Sequence, residues 1–346
     1  MNHFSNTLLT WYSANKRDLP WRHTSDPYLI WISEIILQQT RVVQGFEYYK
    51  RFTTRFPDVA SLAAASEDEV MRYWQGLGYY SRARNLHAAA KSMNGVFPTS
   101  YEGVRALKGV GEYTAAAICS FAYGMPKAVV DGNVYRVLAR CFGIDTPIDS
   151  TEGKKLFAAM ADELLDKQRP ADYNQAIMDF GAIQCTPQSP ACMFCPLAEV
   201  CVARSNGTVD SLPVKQHKTK VSNRYFHYIY VCMGDCILLR KRVGEDIWKN
   251  LFELPLIEAD HSLSVEEFMA HPALLSLLAD GDAPLLRPLQ QGVKHVLSHR
   301  VIWTNFYQLT LPPHSNSFAG YLRVKKDDVA KYAMPRLVHA FLEKNG

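Results

Sequence analysis

Four cysteines within seventeen residues constrain this chain more than any other feature. In CTPQSPACMFCPLAEVC they are spaced C-x6-C-x2-C-x5-C, at Cys185, Cys192, Cys195 and Cys201. Thiolates this close can enclose one soft-metal centre, because sulfur ligands select zinc or iron–sulfur clusters. A structural zinc site usually has two C-x2-C pairs, and only one close pair is present. The spacing therefore favours an iron–sulfur cluster, with zinc as the alternative.

The chain changes character after this cluster. A length of 346 residues favours two or three domains. Residues 1–204 have apolar patterns of helical period with short Gly and Pro stops, residues 205–224 are polar like a linker, and residues 225–346 carry β-rich runs with helical patterns between them. We predict an all-α domain, a linker and an α+β domain. The expected strands are 225–233, 235–242 and 299–311, and the expected C-terminal helix is 327–344.

Composition restricts the function only weakly. A net charge of +4 is compatible with a polyanionic partner, but many ordinary enzymes are as basic. The first twenty residues show no apolar run of the kind found in secretory signals, and the longest uncharged stretch, residues 113–126, is too short to span a membrane. We expect a soluble, cytoplasmic protein with no membrane partner.

A second pattern is the glycine-rich stretch LKGVGEYTAAA at residues 107–117. Gly109 and Gly111 predict a tight turn between two helices, and such a turn leaves backbone N–H groups free to hold a phosphate. Tight turns between packed helices are common, so this pattern is weak alone. Asp131 follows in VVDGN, just before another predicted helix. Taken alone, it is a candidate helix N-cap.

Together these motifs resemble the helix-hairpin-helix DNA glycosylases of the endonuclease III and MutY group. The resemblance implies a 4Fe-4S cluster on the four cysteines in the loop 185–201, which shapes a DNA-facing surface. It also implies DNA-backbone contacts at Gly109 and Gly111, and stabilisation of an oxocarbenium-like sugar by Asp131. Lys108 departs from the proline that is usual in this motif.

The stretch WISEIILQQT places a carboxylate in an apolar segment. Asp26 and Pro27 predict a helix start, and the pattern predicts a helix over Pro27–Val43. On a helical wheel Glu34 lies among apolar neighbours. An exposed position is the usual one for a helical glutamate, but burial would raise its pKa as a general acid near neutral pH requires.

The wider segment DPYLIWISEIILQQTRV resembles the MutY-type motif whose glutamate protonates the departing adenine. That role falls on Glu34, with Asp131 as its electrostatic partner. Two residues after Gly111, endonuclease III-like relatives place a lysine nucleophile, whereas this chain has Tyr113. The resemblance therefore implies hydrolysis without efficient strand cleavage.

Other site residues are also implied by the resemblance. Gln38 and Tyr79, the latter in WQGLGYYSRARNLH, would insert into the duplex when adenine is flipped out, although core packing is the alternative for Tyr79. Arg82 and Arg84 are candidate phosphate contacts. The positions around the adenine pocket are Arg22, Trp31, Tyr113, Asn133 and Gln175.

The C-terminal part resembles the MutT-like, Nudix-type domain of the same glycosylases. WKNLFELP carries this likeness, but the acidic catalytic pattern of nucleotide hydrolases is absent. HVLSHR resembles the loop that touches 8-oxoguanine opposite adenine, which implies Ser298 with His299 beside it. A polar loop at a strand start is the alternative, and Leu297 departs from the usual phenylalanine.

The resemblance to these glycosylases covers nearly the entire chain and implies a monofunctional base-excision-repair enzyme, which we expect to be a monomer. The implied reaction is hydrolysis of the glycosidic bond of adenine mispaired with 8-oxoguanine or guanine in double-stranded DNA. A glycosylase for another base, such as thymine, is one alternative. A non-catalytic damage-binding protein that uses its cluster for redox sensing is another, but such a binder needs neither Glu34 nor Asp131.

Overall fold

The computed structural model describes residues 3–217, 220–279 and 285–345. Within it the chain forms two compact units. The first contains residues 1–64 and 85–218, and the second contains residues 65–84 and 219–346. Residues 65–84, which the sequence analysis included in the first domain, therefore pack with the C-terminal part of the chain.

The part of the first unit that the structure describes is helical. The helices before the sheet are α1 His3–Asn15, α2 Pro27–Leu37, α3 Val42–Arg55, α4 Val59–Ala64, α5 Glu67–Trp74, α6 Ser81–Ser92, α7 Tyr101–Arg105, α8 Glu112–Tyr123, α9 Gly132–Phe142, α10 Thr151–Leu164, α11 Pro170–Ile183 and α12 Val202–Ser205. Of these, α5 and the first residues of α6 belong to the second unit.

Helix α2 begins as predicted and ends earlier than predicted. The Asp26 carboxylate accepts a hydrogen bond from Tyr28 N, and Pro27 occupies the first turn. The predicted end at Val43 is wrong, because Gln38 leaves the helical conformation with ψ 112° and Gln39 has φ +55°. The turn allows α3 to pack closely on α2: a Cβ on Gly45 would lie 2.8 Å from Leu37 Cδ2. A tertiary contact thus accompanies a helix end that periodicity does not reveal.

Helix α2 is central to the first unit. It packs against α3 and α8, and Ile30, Trp31, Ile32 and Ile36 are at most 2% exposed. Burying each such side chain contributes about 1.5–3 kcal/mol. Most of the helix surface is therefore covered by apolar contacts, which determines the surroundings of its carboxylate.

The second unit is built on one mixed sheet. Strands β1 and β6 run parallel, and the other pairs are antiparallel, in the order β3-β2-β1-β6-β5 with β4 on β1 and β7 on β2. The elements are β1 Ser222–Met233, β2 Cys236–Lys241, β3 Phe252–Glu253, β4 Leu256–Ala259, α13 Val265–Met269, α14 Pro272–Leu275, β5 Leu285–Val296, β6 Arg300–Thr310, β7 Leu322–Lys325 and α15 Arg336–Asn345.

The α+β class and the three predicted strands are confirmed. The prediction of a helix from residue 327 is wrong, because α15 begins only after Pro335, and residues 326–331 form a 3-10 turn. Proline disfavours helical conformation in the residue before it, which separates the two segments. Strand β5 was not predicted, since most of its side chains are exposed and its pairing with β6 is irregular.

The predicted linker, residues 205–224, is partly ordered against the first unit. Val214 O accepts a hydrogen bond from Ile148 N, and the Asp149 carboxylate accepts from Gln216 N and His217 N. Its last three residues belong to β1. Among the described residues, none of the helices has the length and apolar character needed to cross a membrane.

Candidate active site

Glu34 is buried in the first unit beside Tyr113. Its side chain sits on α2, where the residue is 6% exposed, and Oε2 accepts a 2.9 Å hydrogen bond from Tyr113 Oη. The pKa of Glu34 is raised to about 7. Burial is the main cause and the charge of Asp131 adds to it, while the Tyr113 hydrogen bond and the charge of Arg22 act in the opposite direction. A carboxyl group in this state can both hold and release a proton near neutral pH.

Asp131 is the N-cap of α9. Its Oδ1 accepts hydrogen bonds of 2.8 Å from Asn133 N and Val134 N, and Oδ2 accepts one of 2.8 Å from Asn133 Nδ2. Burial raises the pKa of Asp131, while these bonds and the charge of Arg136 lower it. The positive end of the helix dipole also favours an anion at this point. Asp131 is therefore a cap that also acts electrostatically on Glu34 and Tyr113.

Arg22 is held by a buried acid that the sequence analysis did not identify. Asp179 is fully buried and accepts from Arg22 Nη1 and Nη2 at 2.6 and 2.7 Å, and from Arg17 Nε at 2.9 Å. Tyr12 Oη donates to Gln175 Oε1 at 2.6 Å, which fixes the orientation of the Gln175 amide. These partners are more than 150 positions apart in sequence, so no local pattern links them.

The other predicted pocket residues differ in their surroundings. Trp31 is fully buried, and its Nε1 has no hydrogen-bond partner among the described residues. Gln38 Nε2 donates to Thr114 Oγ1 at 3.2 Å. The Asn133 side chain is occupied within the protein, since it binds Asp131 and accepts from Arg136 Nη2 at 2.8 Å. Asn133 therefore holds the catalytic candidate Asp131 in place.

The glycines of the predicted hairpin have different roles. Gly109 has φ +82°, and a Cβ there would lie 2.7 Å from Asn85 Cβ, so both conformation and packing require glycine. Gly111 is the N-cap of α8 with φ −88°, and a Cβ on it would meet nothing within 4 Å. Its backbone therefore borders open space, as a contact with a phosphate requires.

The four cysteines of the 185–201 loop line one small cavity together with Arg140 and Cys141. Within the described ranges, no three His, Cys, Asp or Glu side chains are placed to hold a single metal ion. Four thiols that line one cavity suit a 4Fe-4S cluster, because such a cluster is held by four cysteine thiolates. The donor set therefore fits such a cluster.

Two arginines on α9 support this loop, and the sequence analysis did not assign them this role. Arg140 is 2% exposed, donates to Thr186 O at 2.7 Å, and has Nη1 3.5 Å from Cys185 Sγ. Arg136 Nε donates to Cys185 O at 2.7 Å. Their positive charges favour thiolates in the cavity. Both follow Asp131 on one helix, so α9 supports the candidate carboxylate at its N-terminus and contacts the cysteine loop.

In the second unit the structure brings together two residues that the sequence analysis predicted separately. Tyr79 Oη and Ser298 Oγ are hydrogen bonded. Tyr79 is 43% exposed with φ +46°, a strained conformation for a bulky residue, and Ser298 and His299 are exposed. Strain of this kind is concentrated at functional sites.

The two arginines of the WQGLGYYSRARNLH segment have internal partners. Arg82 is 9% exposed, and its Nη2 donates to Leu77 O and Gly78 O. Burial lowers the pKa of Arg82 to about 10. Its guanidinium supports the turn at Leu77 and Gly78 from inside the protein. Arg84 is half-buried and donates to Lys249 O at 2.8 Å.

Comparison with known proteins agrees with this architecture. Residues 32–161 match the model of the HhH-GPD superfamily base excision DNA repair protein, and residues 227–344 match a NUDIX domain. Adenine DNA glycosylase of Buchnera aphidicola subsp. Baizongia pistaciae is 33% identical over 87% of this chain and 84% of its own length. The Rattus norvegicus adenine DNA glycosylase is 35% identical over 92% and 73%.

Solved structures resemble the helical part of the chain. A thermostable thymine-DNA glycosylase aligns with TM-score 0.55 and 31% identity over 59% of this chain and 95% of that one. A non-covalent endonuclease III–DNA complex aligns with TM-score 0.51 and 22% identity over the same shares, which shows the fold alone. Fold and site thus define a helix-hairpin-helix base-excision repair protein with an added Nudix-type unit. Within that class, the chain belongs to the adenine DNA glycosylase family.

Proposed function

We propose that this protein removes adenine mispaired with 8-oxoguanine or guanine by hydrolysing its N-glycosidic bond. The observation that carries the proposal is Glu34, a buried carboxyl group whose pKa is raised to about 7, next to the capped carboxylate Asp131. Two carboxyl groups in different surroundings can divide acid and electrostatic roles, as glycoside hydrolysis requires.

In this proposal Glu34 protonates the departing adenine. Burial keeps a large fraction of its carboxyl groups protonated at neutral pH, and proton transfer from a positioned acid accelerates such steps by about 10²–10⁴-fold. Tyr113 orients the carboxyl group through its hydrogen bond to Oε2. Arg22, Trp31 and Gln175 would border the flipped base.

Asp131 stabilises the positive charge that develops on the sugar as the base leaves. Three donors hold its carboxylate in one orientation, so little reorganisation accompanies the reaction. Asn133 contributes two of these donors and is a positioning residue.

The reaction is proposed to end at hydrolysis. Tyr113 occupies the position where the lyase-active relatives carry a lysine nucleophile, and its pKa is well above the ordinary value because of burial. A protonated phenol in a hydrogen bond with Glu34 does not form a Schiff base. Water is therefore the proposed nucleophile, and strand cleavage is not expected.

We propose DNA contacts for residues of each unit. Gly109 and Gly111 would contact the backbone, Arg84 would contact phosphate, and Gln38 and Tyr79 would fill the space left by the flipped base. Ser298 and His299 would touch the opposite base. Cys185, Cys192, Cys195 and Cys201 would hold a 4Fe-4S cluster, which fixes the shape of its loop when bound.

Base release from defined duplexes tests the proposal. We expect single-turnover release of adenine from 8-oxoguanine:A and G:A duplexes, and no covalent complex after borohydride treatment. The similarity to a thymine-DNA glycosylase makes release of thymine from mismatches the competing outcome. Duplex binding without release of any base would support a non-catalytic damage-binding protein. The proposed active form is a monomer acting in the cytoplasm, where it has access to chromosomal DNA if the cell is bacterial.

A further inference from the structure

We propose that Asp246 is a positioning residue: through Arg300 it fixes the turn that carries Ser298, and so it controls discrimination of the base opposite adenine. This inference rests on the proposed function, because it takes Ser298 as a contact to that base. All the residues involved lie in the second unit.

The turn is short and is closed by Arg300. Strand β5 ends at Val296 and β6 begins at Arg300, which leaves residues 297–299 between them. Leu297 N donates to Arg300 O at 2.8 Å, and His299 O accepts from Ser222 N at 3.1 Å. Ser298 lies at the centre of this turn, so a shift of Arg300 changes where the serine hydroxyl points.

Asp246 binds the turn through a shared carboxylate. Its Oδ1 accepts from Arg300 Nη1 and Arg224 Nη1, both at 2.9 Å, and Oδ2 accepts from Arg224 Nη2 at 2.7 Å and Arg242 Nη2 at 3.0 Å. Partial burial raises the pKa of Asp246, but the hydrogen bonds from Arg224 and Arg300 bring it well below its usual range. The carboxylate is therefore charged at neutral pH.

Removing this charge should release Arg300 in particular. The other two arginines of the cluster each have a second carboxylate partner, Glu258 for Arg224 and Glu253 for Arg242. In the described part of the chain, the ion pair found for Arg300 is the one with Asp246. The Asp246→Asn change would leave three cations with two carboxylates, and repulsion would favour movement of Arg300 into solvent.

The loop between β2 and β3 that carries Asp246 is anchored near Tyr79. Lys249 O accepts from Arg84 Nη1 at 2.8 Å, and Asn250 Nδ2 donates to the Glu67 carboxylate. Tyr79 lies between residues 67 and 84, and its hydroxyl is bonded to Ser298. One loop therefore holds both sides of the Tyr79–Ser298 contact.

The test compares single-turnover adenine release from 8-oxoguanine:A and G:A duplexes for Asp246→Asn, Arg300→Gln, their double variant and Ser298→Ala. Glu245→Gln is the matched control, because it removes the same charge from an exposed neighbour whose ion pair is with Lys249. Thermal unfolding of each variant shows whether it is folded.

We expect Asp246→Asn and Arg300→Gln each to lower the ratio of the 8-oxoguanine:A rate to the G:A rate by about fivefold. This factor corresponds to the upper end of the interaction energies of partly exposed ion pairs. The double variant should fall no further, because both changes break one interaction. Glu245→Gln should leave the ratio unchanged.

Three outcomes overturn the inference. If Ser298→Ala lowers the ratio while Asp246→Asn and Arg300→Gln do not, the positioning role of Asp246 is wrong. The proposed contact of Ser298 with the base opposite adenine is then still supported. Equal losses on both duplexes would mean a general structural role. If Ser298→Ala leaves the ratio unchanged, the proposed opposite-base contact fails, and the positioning role fails with it.

Discussion

Replacing Glu34 by glutamine should abolish base release and stabilise the fold at the same time. Glutamine keeps the shape of the side chain and an oxygen that can accept from Tyr113 Oη, but it has no acidic proton to give to adenine. We expect the single-turnover rate to fall by about 10²–10⁴-fold. Duplex affinity should change little, since Glu34 is 6% exposed.

The stability gain follows from the raised pKa of Glu34. A folded-state pKa of about 7 against the ordinary 4.5 means that the folded protein binds this proton more tightly than the unfolded chain. The contribution of this proton to the free energy of unfolding is fully present below pH 4.5 and is lost as the pH rises toward 7. Above pH 7 the total loss levels off at about 3 kcal/mol. Between pH 5 and pH 8 the expected decline is about 2.5 kcal/mol.

Glutamine does not titrate, so the variant should escape this decline. Denaturant unfolding at pH 5 and pH 8 therefore measures the ionisation cost of Glu34 directly. The matched control is Glu163→Gln, which replaces an exposed glutamate on α10. In the wild type, base release limited by the Glu34 proton should fall about tenfold per pH unit above pH 7.

Two results would refute this reasoning. Adenine release by Glu34→Gln within tenfold of the wild type would exclude the glutamate as the required acid. An unfolding free-energy difference between variant and wild type that is the same at pH 5 and pH 8 would mean that Glu34 ionises freely, so its burial does not raise the pKa.

Three further changes test the remaining parts of the site. Asp131→Asn should lower the base-release rate by about 10²–10³-fold with little change in unfolding free energy, because asparagine caps helices as well as aspartate does. Tyr113→Phe removes a bond that lowers the pKa of Glu34, so the rate–pH profile should move to higher pH. Cys192→Ser should remove the visible absorbance of a bound cluster and weaken duplex binding, whereas Cys236→Ser, in the other unit, should not.

Each of these predictions has a contrary result. A loss of stability in Asp131→Asn that matches its loss of rate would reduce the residue to a structural cap. A profile for Tyr113→Phe that stays in place or moves to lower pH would contradict the hydrogen bond to Glu34. Cluster absorbance retained in Cys192→Ser would remove that cysteine from the ligand set.

Local patterns in the sequence were sufficient for several features of the protein. The four cysteines lie in one loop, so their spacing along the chain was enough to predict a shared site. The α+β character of the C-terminal part was predictable from short runs of alternating polar and apolar residues. The burial of Glu34 was also predictable, because a helix with apolar residues on every side has no polar face to expose a carboxylate. Asp26 and Pro27 marked the start of that helix for the same local reason.

Only the tertiary structure decided the arrangements that depend on distant segments. Helix α2 ends where Gly45 of the next helix packs against Leu37, and the periodicity of α2 contains no sign of that contact. Residues 65–84 join the second unit through contacts such as that of Tyr79 with Ser298, 219 positions away. Such contacts form between residues that are far apart in sequence, so local sequence patterns do not predict them. The amino-acid sequence therefore determined which side chains could perform the chemistry, and the tertiary structure determined which residues hold them in place.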